Sequence, residues 1–214
     1  ILDAAAKGWR LRKDDEGVLS LALQIKGIDP LQQLPLLADG QSFRFLWDKA
    51  PGLCIAASGQ CQHLNLAGPR RFELAQRFSD ATFGRLNDVT PEVPSQARPR
   101  ILLAFSFFEQ TSERQRTLGV PSAAQLVLPR WQLTRQGRSG WLRLNGVATH
   151  EADVRELAEE LWLMAERLAR PLTNDGVFSV STPVVGTWAP NQWQDCYRPA
   201  LTRGIDLVST GVLE

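Results

Sequence analysis

The chain has 214 residues, 43% of them hydrophobic, which is enough to bury a core as one large domain or two small ones. Its 24 Lys plus Arg against 23 Asp plus Glu exclude a global charge that would draw it onto nucleic acid or a membrane surface. No apolar run approaches the ~20 residues that span a bilayer, the N-terminus lacks the order of a signal peptide, and three cysteines, an odd number, argue against a disulfide framework, so a reducing cytosol is the expected compartment.

In chain order, Val18 to Ile25 is apolar and reads as a strand, and Asp29-Pro30 opens a short helical piece carrying Leu31, Leu34, Leu36 and Leu37. Ser42 to Trp47 alternates apolar and polar at its start, Ala50-Pro51-Gly52 is a turn, and Leu53 to Ala57 is a second strand, so residues 42–57 read as a hairpin. Phe72 to Phe83 is expected to be helical, with Phe72, Ala75 and Phe78 on one face. The stretch Thr90 to Pro99 is a proline-rich loop. Arg100 to Phe108 is almost continuously apolar, which predicts a central strand covered on both faces. Glu109 to Thr117 reads as an exposed loop. Ala124 to Pro129 and Trp131 to Arg135 form a strand region interrupted by a proline, and Ser139 to Leu144 pairs with it across Gln136-Gly137.

Residues 150–169 carry the clearest helical pattern. Val154, Leu157, Ala158, Leu161, Met164, Ala165 and Leu168 fall on one stripe. Thr149 is expected to cap its start, Glu151 and Asp153 favour its positive end, and Pro171 ends it. A last helix is expected over 191–209, with Trp193, Tyr197, Leu201, Ile205 and Val208 on its buried face and Pro199 kinking it or starting its main part. These elements predict an α+β fold, mostly antiparallel sheet with two or three covering helices and the strands largely first. After Gly211 the chain opens a strand that it does not finish. This is expected of the front part of a longer protein, and the start at Ile1 in place of a Met is expected of a trimmed gene boundary.

No catalytic constellation emerges from the residues themselves. Cys54, Cys61 and His63 are a Cys/His cluster, but neither a CxxC pair nor a His-rich partner accompanies them, so packed cysteines and a surface histidine are expected rather than zinc. His150 stands beside Glu151 and Asp153 at a helix start, where acidic residues have a capping role. Cys196 has no visible histidine partner and suits a small packed hydrophobe. Ser58-Gly59 and Gly186-Thr187 are short glycine turns and not phosphate loops. Arg70-Arg71 and Arg130 have the chemistry to hold a carboxylate, although solvated arginines are the commoner case. The seven tryptophans are expected mostly in the core and in strand pairs.

The order of motifs resembles one family. Phe45-Leu-Trp47 followed by Cys54-Ile-Ala-Ala-Ser-Gly59 is similar to the hairpin at the front of chorismate-utilising enzymes, and Gly68-Pro-Arg-Arg-Phe72 follows where such a chain has its first helix. Arg98 to Phe108 resembles that family's strand of Arg, apolar residues, Gly and Phe-x-Phe, with Ala104 where Gly is usual. Ala123 to Trp131 resembles the "apolar–Pro–x–Trp" strand of isochorismate synthases, and Trp193 to Glu214 is similar to the helix that links the two halves of the family.

The resemblance implies residues 1–190 as the N-terminal α/β region of an isochorismate synthase and 191–214 as the linker helix and start of a catalytic domain, together part of a larger layered α/β sandwich. It implies a Mg2+-dependent isomerase acting on chorismate in quinone synthesis. In the family a lysine base activates water, a glutamate acid protonates the departing hydroxyl, and further glutamates hold Mg2+ against the substrate carboxylate. All of these belong to the family's C-terminal half, so no catalytic, cofactor-binding or metal-binding residue is assigned in this stretch. Its partners are then chorismate and the catalytic half, and alone it is expected to self-associate. An anthranilate or aminodeoxychorismate synthase, which uses ammonia and a glutamine amidotransferase, is the alternative within the family. A Leu-Leu-Glu-Ser-like segment, the mark of the anthranilate synthases' tryptophan site, is not seen near the front. A binding module without activity is the alternative outside the family.

Overall fold

The computed structural model describes residues 17–50, 52–90, 92–106 and 123–170, with the single residues 6, 202, 205 and 209. The chain divides into two compact units, Ile1–Leu172 and Thr173–Glu214. In the second unit Thr202, Ile205 and Ser209 are helical. Ile205, expected on a buried face, is 59% exposed. The rest of the helix expected over 191–209, Cys196, the Gly186-Thr187 turn, the 190/191 boundary and the loop at 109–117 lie outside the described residues.

The first unit runs β1 (Val18–Lys26), α1 (Pro30–Leu37), β2 (Arg44–Ala50), β3 (Leu53–Leu66), α2 (Arg71–Arg85), β4 (Leu86–Asp88), a 3-10 turn (Ser95–Ala97), β5 (Leu102–Phe105), β6 (Ala124–Gln136), β7 (Ser139–Val147) and α3 (Glu151–Ala169). The fold class is α+β, as expected, but the helices are interleaved with the strands. The seven strands form one sheet in the order β2-β3-β6-β7-β1-β4, with β5 also paired to β6. Every pair is antiparallel except β1 with β4. Gly137, at φ 57°, lets the chain reverse in two residues between β6 and β7.

One face of the sheet is apolar. Leu19 and Leu21 of β1, Leu142 and Leu144 of β7, Trp131 and Leu133 of β6 and Ala56 of β3 pack beneath the α3 stripe, which is buried along its whole predicted length. Each fully buried leucine here contributes about 1.5–3 kcal/mol. Gly146 marks the closest approach of sheet and helix, because an added Cβ would collide with the Leu157 side chain. At the start of α1, Asp29 accepts the Leu31 N–H at 3.2 Å and Pro30 stands at the first helical position. At its end the Ser58 hydroxyl donates to the Leu37 carbonyl at 2.6 Å.

Four expectations are corrected. In the stretch from Arg100, as far as its described residues reach at Ser106, there is no covered central strand: β5 spans Leu102–Phe105, pairs with β6, and leaves Leu103 54% and Phe105 41% exposed. Ser58-Gly59 is not a turn between elements. It lies inside the 14-residue β3, where Gly59 at φ 65° stands next to a shift of register at Gln60–Gln62. Phe72 is not on the buried face of α2, which presents Arg71, Ala75 and Thr82 inward. The N-cap of α3 is His150 and not Thr149.

Candidate functional site

Residues that alternate with the apolar stripe point to the other face of the sheet, and there the burial is polar. Ser20 on β1, Arg143 and Asn145 on β7, and Gln132 and Thr134 on β6 are all at most 1% exposed. The strand register places Ser20 opposite Asn145, and Gln132 and Ala22 on either side of Arg143. A patch of this kind survives in a core only when its groups satisfy one another.

Arg143 is its centre. Nη1 donates to Asp88 Oδ1 at 3.0 Å and to Ser20 Oγ at 2.7 Å, and Nε donates to the Ala97 carbonyl at 2.8 Å. Ser20 passes its own hydrogen to Asn145 Oδ1 at 2.5 Å, and Asn145 Nδ2 donates to the Pro129 carbonyl at 2.8 Å. Gln132 Nε2 donates to the Arg98 carbonyl at 3.0 Å and to Thr134 Oγ1 at 3.3 Å. Burial pulls the Arg143 pKa down, and the Asp88 carboxylate opposes that shift. Asp88 Oδ1 also accepts from the Thr90 N–H and hydroxyl at 3.1 and 3.0 Å. The arrangement therefore ties β4 and the segment 97–98 to the middle of the sheet. Its cation is committed to Asp88, so its chemistry is that of positioning and not of proton transfer.

The sequence did not single out these residues. In Leu142-Arg-Leu-Asn145 polar and apolar residues alternate as on a half-wet strand. The signal lay in three strands carrying polar residues at matching register, which requires the pairing to be known.

The residues that the sequence did single out are dispersed. Cys54 is buried in β3, and its thiol is raised to about 11 by burial, with the Asp48 carboxylate adding to the shift. Burial likewise raises Cys61 to about 11 against the opposing charge of Arg130. His63 is exposed on the same strand. Both thiols are thus held protonated at neutral pH, as suits packed side chains. Among the described residues no group of three or more His, Cys, Asp or Glu is placed to hold a metal ion.

His150 serves the helix start. Asp153 Oδ2 accepts the Thr149 N–H at 2.8 Å, the Thr149 hydroxyl at 2.9 Å and the His150 N–H at 2.9 Å. Those bonds, the backbone ones first, hold its pKa at about 2. The arginines are not simply solvated. Arg70 grips Glu73 with Nε at 2.9 Å and Nη2 at 3.1 Å, and Arg71 is 5% exposed with its guanidinium 4.5 Å from the Phe72 ring centre. Arg130 clasps Glu160 with Nε at 3.3 Å and Nη2 at 2.5 Å, which fastens β6 to α3. Trp131 and Trp141 are buried, whereas Trp47 and Trp162 are about half exposed. An open groove along α3, beside Trp131, is lined by Glu156, Glu159, Glu160 and Glu166 against Arg167 and Arg170, with Glu160 held by Arg130.

The model of the family described as "Chorismate binding enzyme" matches residues 4–209. The chain belongs to that family. No curated protein matches it. Among solved structures it is similar to MenF, the menaquinone-specific isochorismate synthase from Escherichia coli, at 21% identity and a TM-score of 0.36. The similarity covers 80% of this chain and 35% of that one, so the chain spans little more than a third of that protein's length.

Proposed function

We propose that this member of the chorismate-binding enzymes is the N-terminal part of an isochorismate synthase, which isomerises chorismate to isochorismate for menaquinone or phylloquinone synthesis. Residues 1–190 are its scaffold, and 191–214 lead into the catalytic half. The observation that carries the reading is the family match across 4–209, taken with the order of motifs from Phe45-Leu-Trp47 to Pro129-Arg-Trp131. The scaffold role is supported by the polar groups on the sheet, which are spent on positioning β4 and the segment 97–98. The exposed Phe72, Phe83, Leu103 and Phe105 support a surface that the remainder of the enzyme covers.

Mg2+ belongs to the proposed reaction, where it would neutralise the substrate carboxylate. Its binding is assigned to the catalytic half by the resemblance to the family, whose Mg2+-holding glutamates lie there.

The test is to incubate the intact gene product with chorismate and Mg2+, with and without ammonia, and to separate the products. Isochorismate, formed equally without ammonia, is the expected result. An aminated product would replace this reading with an anthranilate or aminodeoxychorismate synthase, and inertness would favour the binding module.

A further inference from the structure

We propose a site for one buried water molecule on the polar face of the sheet, held between Arg143 Nη2 and Gln132 Oε1. Both atoms are closed to solvent and have no hydrogen-bond partner among the described residues. They belong to side chains that are 0% and 1% exposed. The two residues stand directly opposite each other in the β6–β7 ladder, where facing side chains lie ~4.5–5.5 Å apart at Cβ. Both side chains are also anchored to one short stretch of backbone: Arg143 Nε donates to the Ala97 carbonyl, and Gln132 Nε2 to the Arg98 carbonyl that follows it. The free donor and the free acceptor are therefore held in one neighbourhood.

The chemistry of the two atoms selects the occupant. The Gln132 amide is oriented by its two donated bonds, to the Arg98 carbonyl and to Thr134 Oγ1, so its free atom is the oxygen. Arg143 has spent Nε and Nη1, so its free atom is a donor. A molecule between them must accept one hydrogen bond and donate another. An anion only accepts, and it would face the Gln132 oxygen without a proton to give. The guanidinium charge is already matched by Asp88. An ammonium only donates. Water does both, and a polar buried site with two fixed partners is where such waters are retained. The water joins β6 to β7 through the two side chains that themselves hold the segment 97–98. The site stands whether or not the reaction proposed above is the right one.

A crystal structure of the intact protein, at a resolution where ordered waters are visible, tests it. The expected result is a single peak within ~2.7–3.2 Å of both Arg143 Nη2 and Gln132 Oε1. In Gln132→Met the peak is expected to vanish while the bonds of Arg143 to Asp88 and to the Ala97 carbonyl remain. A direct bond between Nη2 and Oε1, density too strong for water, or a peak that survives in Gln132→Met would overturn the proposal. If the variant does not fold, the wild-type structure decides alone.

Discussion

Asn145 Nδ2 donates to the Pro129 carbonyl at 2.8 Å, and this bond fills the gap where β6 changes partner. On one side β6 pairs with β3 along most of its length. On the other it pairs with β7 over Trp131–Gln136 and with β5 over Ala124–Val127. Pro129 lies between those two ladders. A proline has no N–H to donate, and its buried carbonyl takes the Asn145 amide as a donor at the point where neither β5 nor β7 is in register with it. Asn145→Ala removes the amide donor from that carbonyl and the acceptor of the Ser20 hydroxyl hydrogen. We expect a loss of about 1–3 kcal/mol in a urea titration. A midpoint equal to wild type would contradict this role for Asn145.

Among the described residues, Asp88 is the carboxylate bonded to the buried Arg143. Asp88→Asn leaves the cation uncompensated and is expected to cost about 3–5 kcal/mol. Arg143→Met in the same background removes the orphaned charge and should recover part of that loss. A double variant as unstable as the sum of the single ones would show that the pair does not act as a unit.

The carboxyl of Asp153 gives the helix start an acid sensitivity. Its folded value of about 2 lies below the ordinary 3.8, so folding favours the ionised form. The stabilisation is present above the ordinary value and is lost as pH falls from about 4 through about 2. Urea midpoints of wild type and Asp153→Asn should differ at neutral pH and converge as that range is crossed. A gap that stays constant down to the acid end would remove Asp153 as its source.

Much of this fold was legible from residues whose neighbours are close in sequence. The α3 stripe from Val154 to Leu168 predicted its own burial because one helix face meets one sheet face. The β6–β7 hairpin was legible from Gln136-Gly137. The failures were non-local. Arg100 to Phe108 reads as a covered strand because it is apolar, but its exposure depends on what the rest of the molecule lays over it. Gly59 reads as a turn because glycine punctuates loops, yet β3 uses its positive φ to change register and continue. The Arg143 patch was hidden for a related reason. Alternation in β7 does not distinguish water from the segment 97–98 as the cover of its polar face.

Apolar side chains remain exposed where α2 and β5 meet. Phe72 and Phe105 pack with ring centres 4.9 Å apart and planes tilted by 35°, each about half exposed, and Leu103 is 54% exposed nearby in sequence. The 214-residue stretch by itself should self-associate through this surface. Sedimentation velocity is expected to show a concentration-dependent mass, reduced in Leu103→Glu. A monomer at every concentration would mean that the surface has no partner to miss.

As proposed, this stretch is the scaffold of a chorismate-utilising enzyme whose chemistry is carried elsewhere in the chain. The decisive comparison sets the intact gene product beside the 214-residue stretch, each given chorismate and Mg2+, with the products separated by chromatography. Isochorismate is expected from the intact protein and none from the stretch. Turnover by the stretch alone would contradict the scaffold role and would place the catalytic groups within residues 1–214.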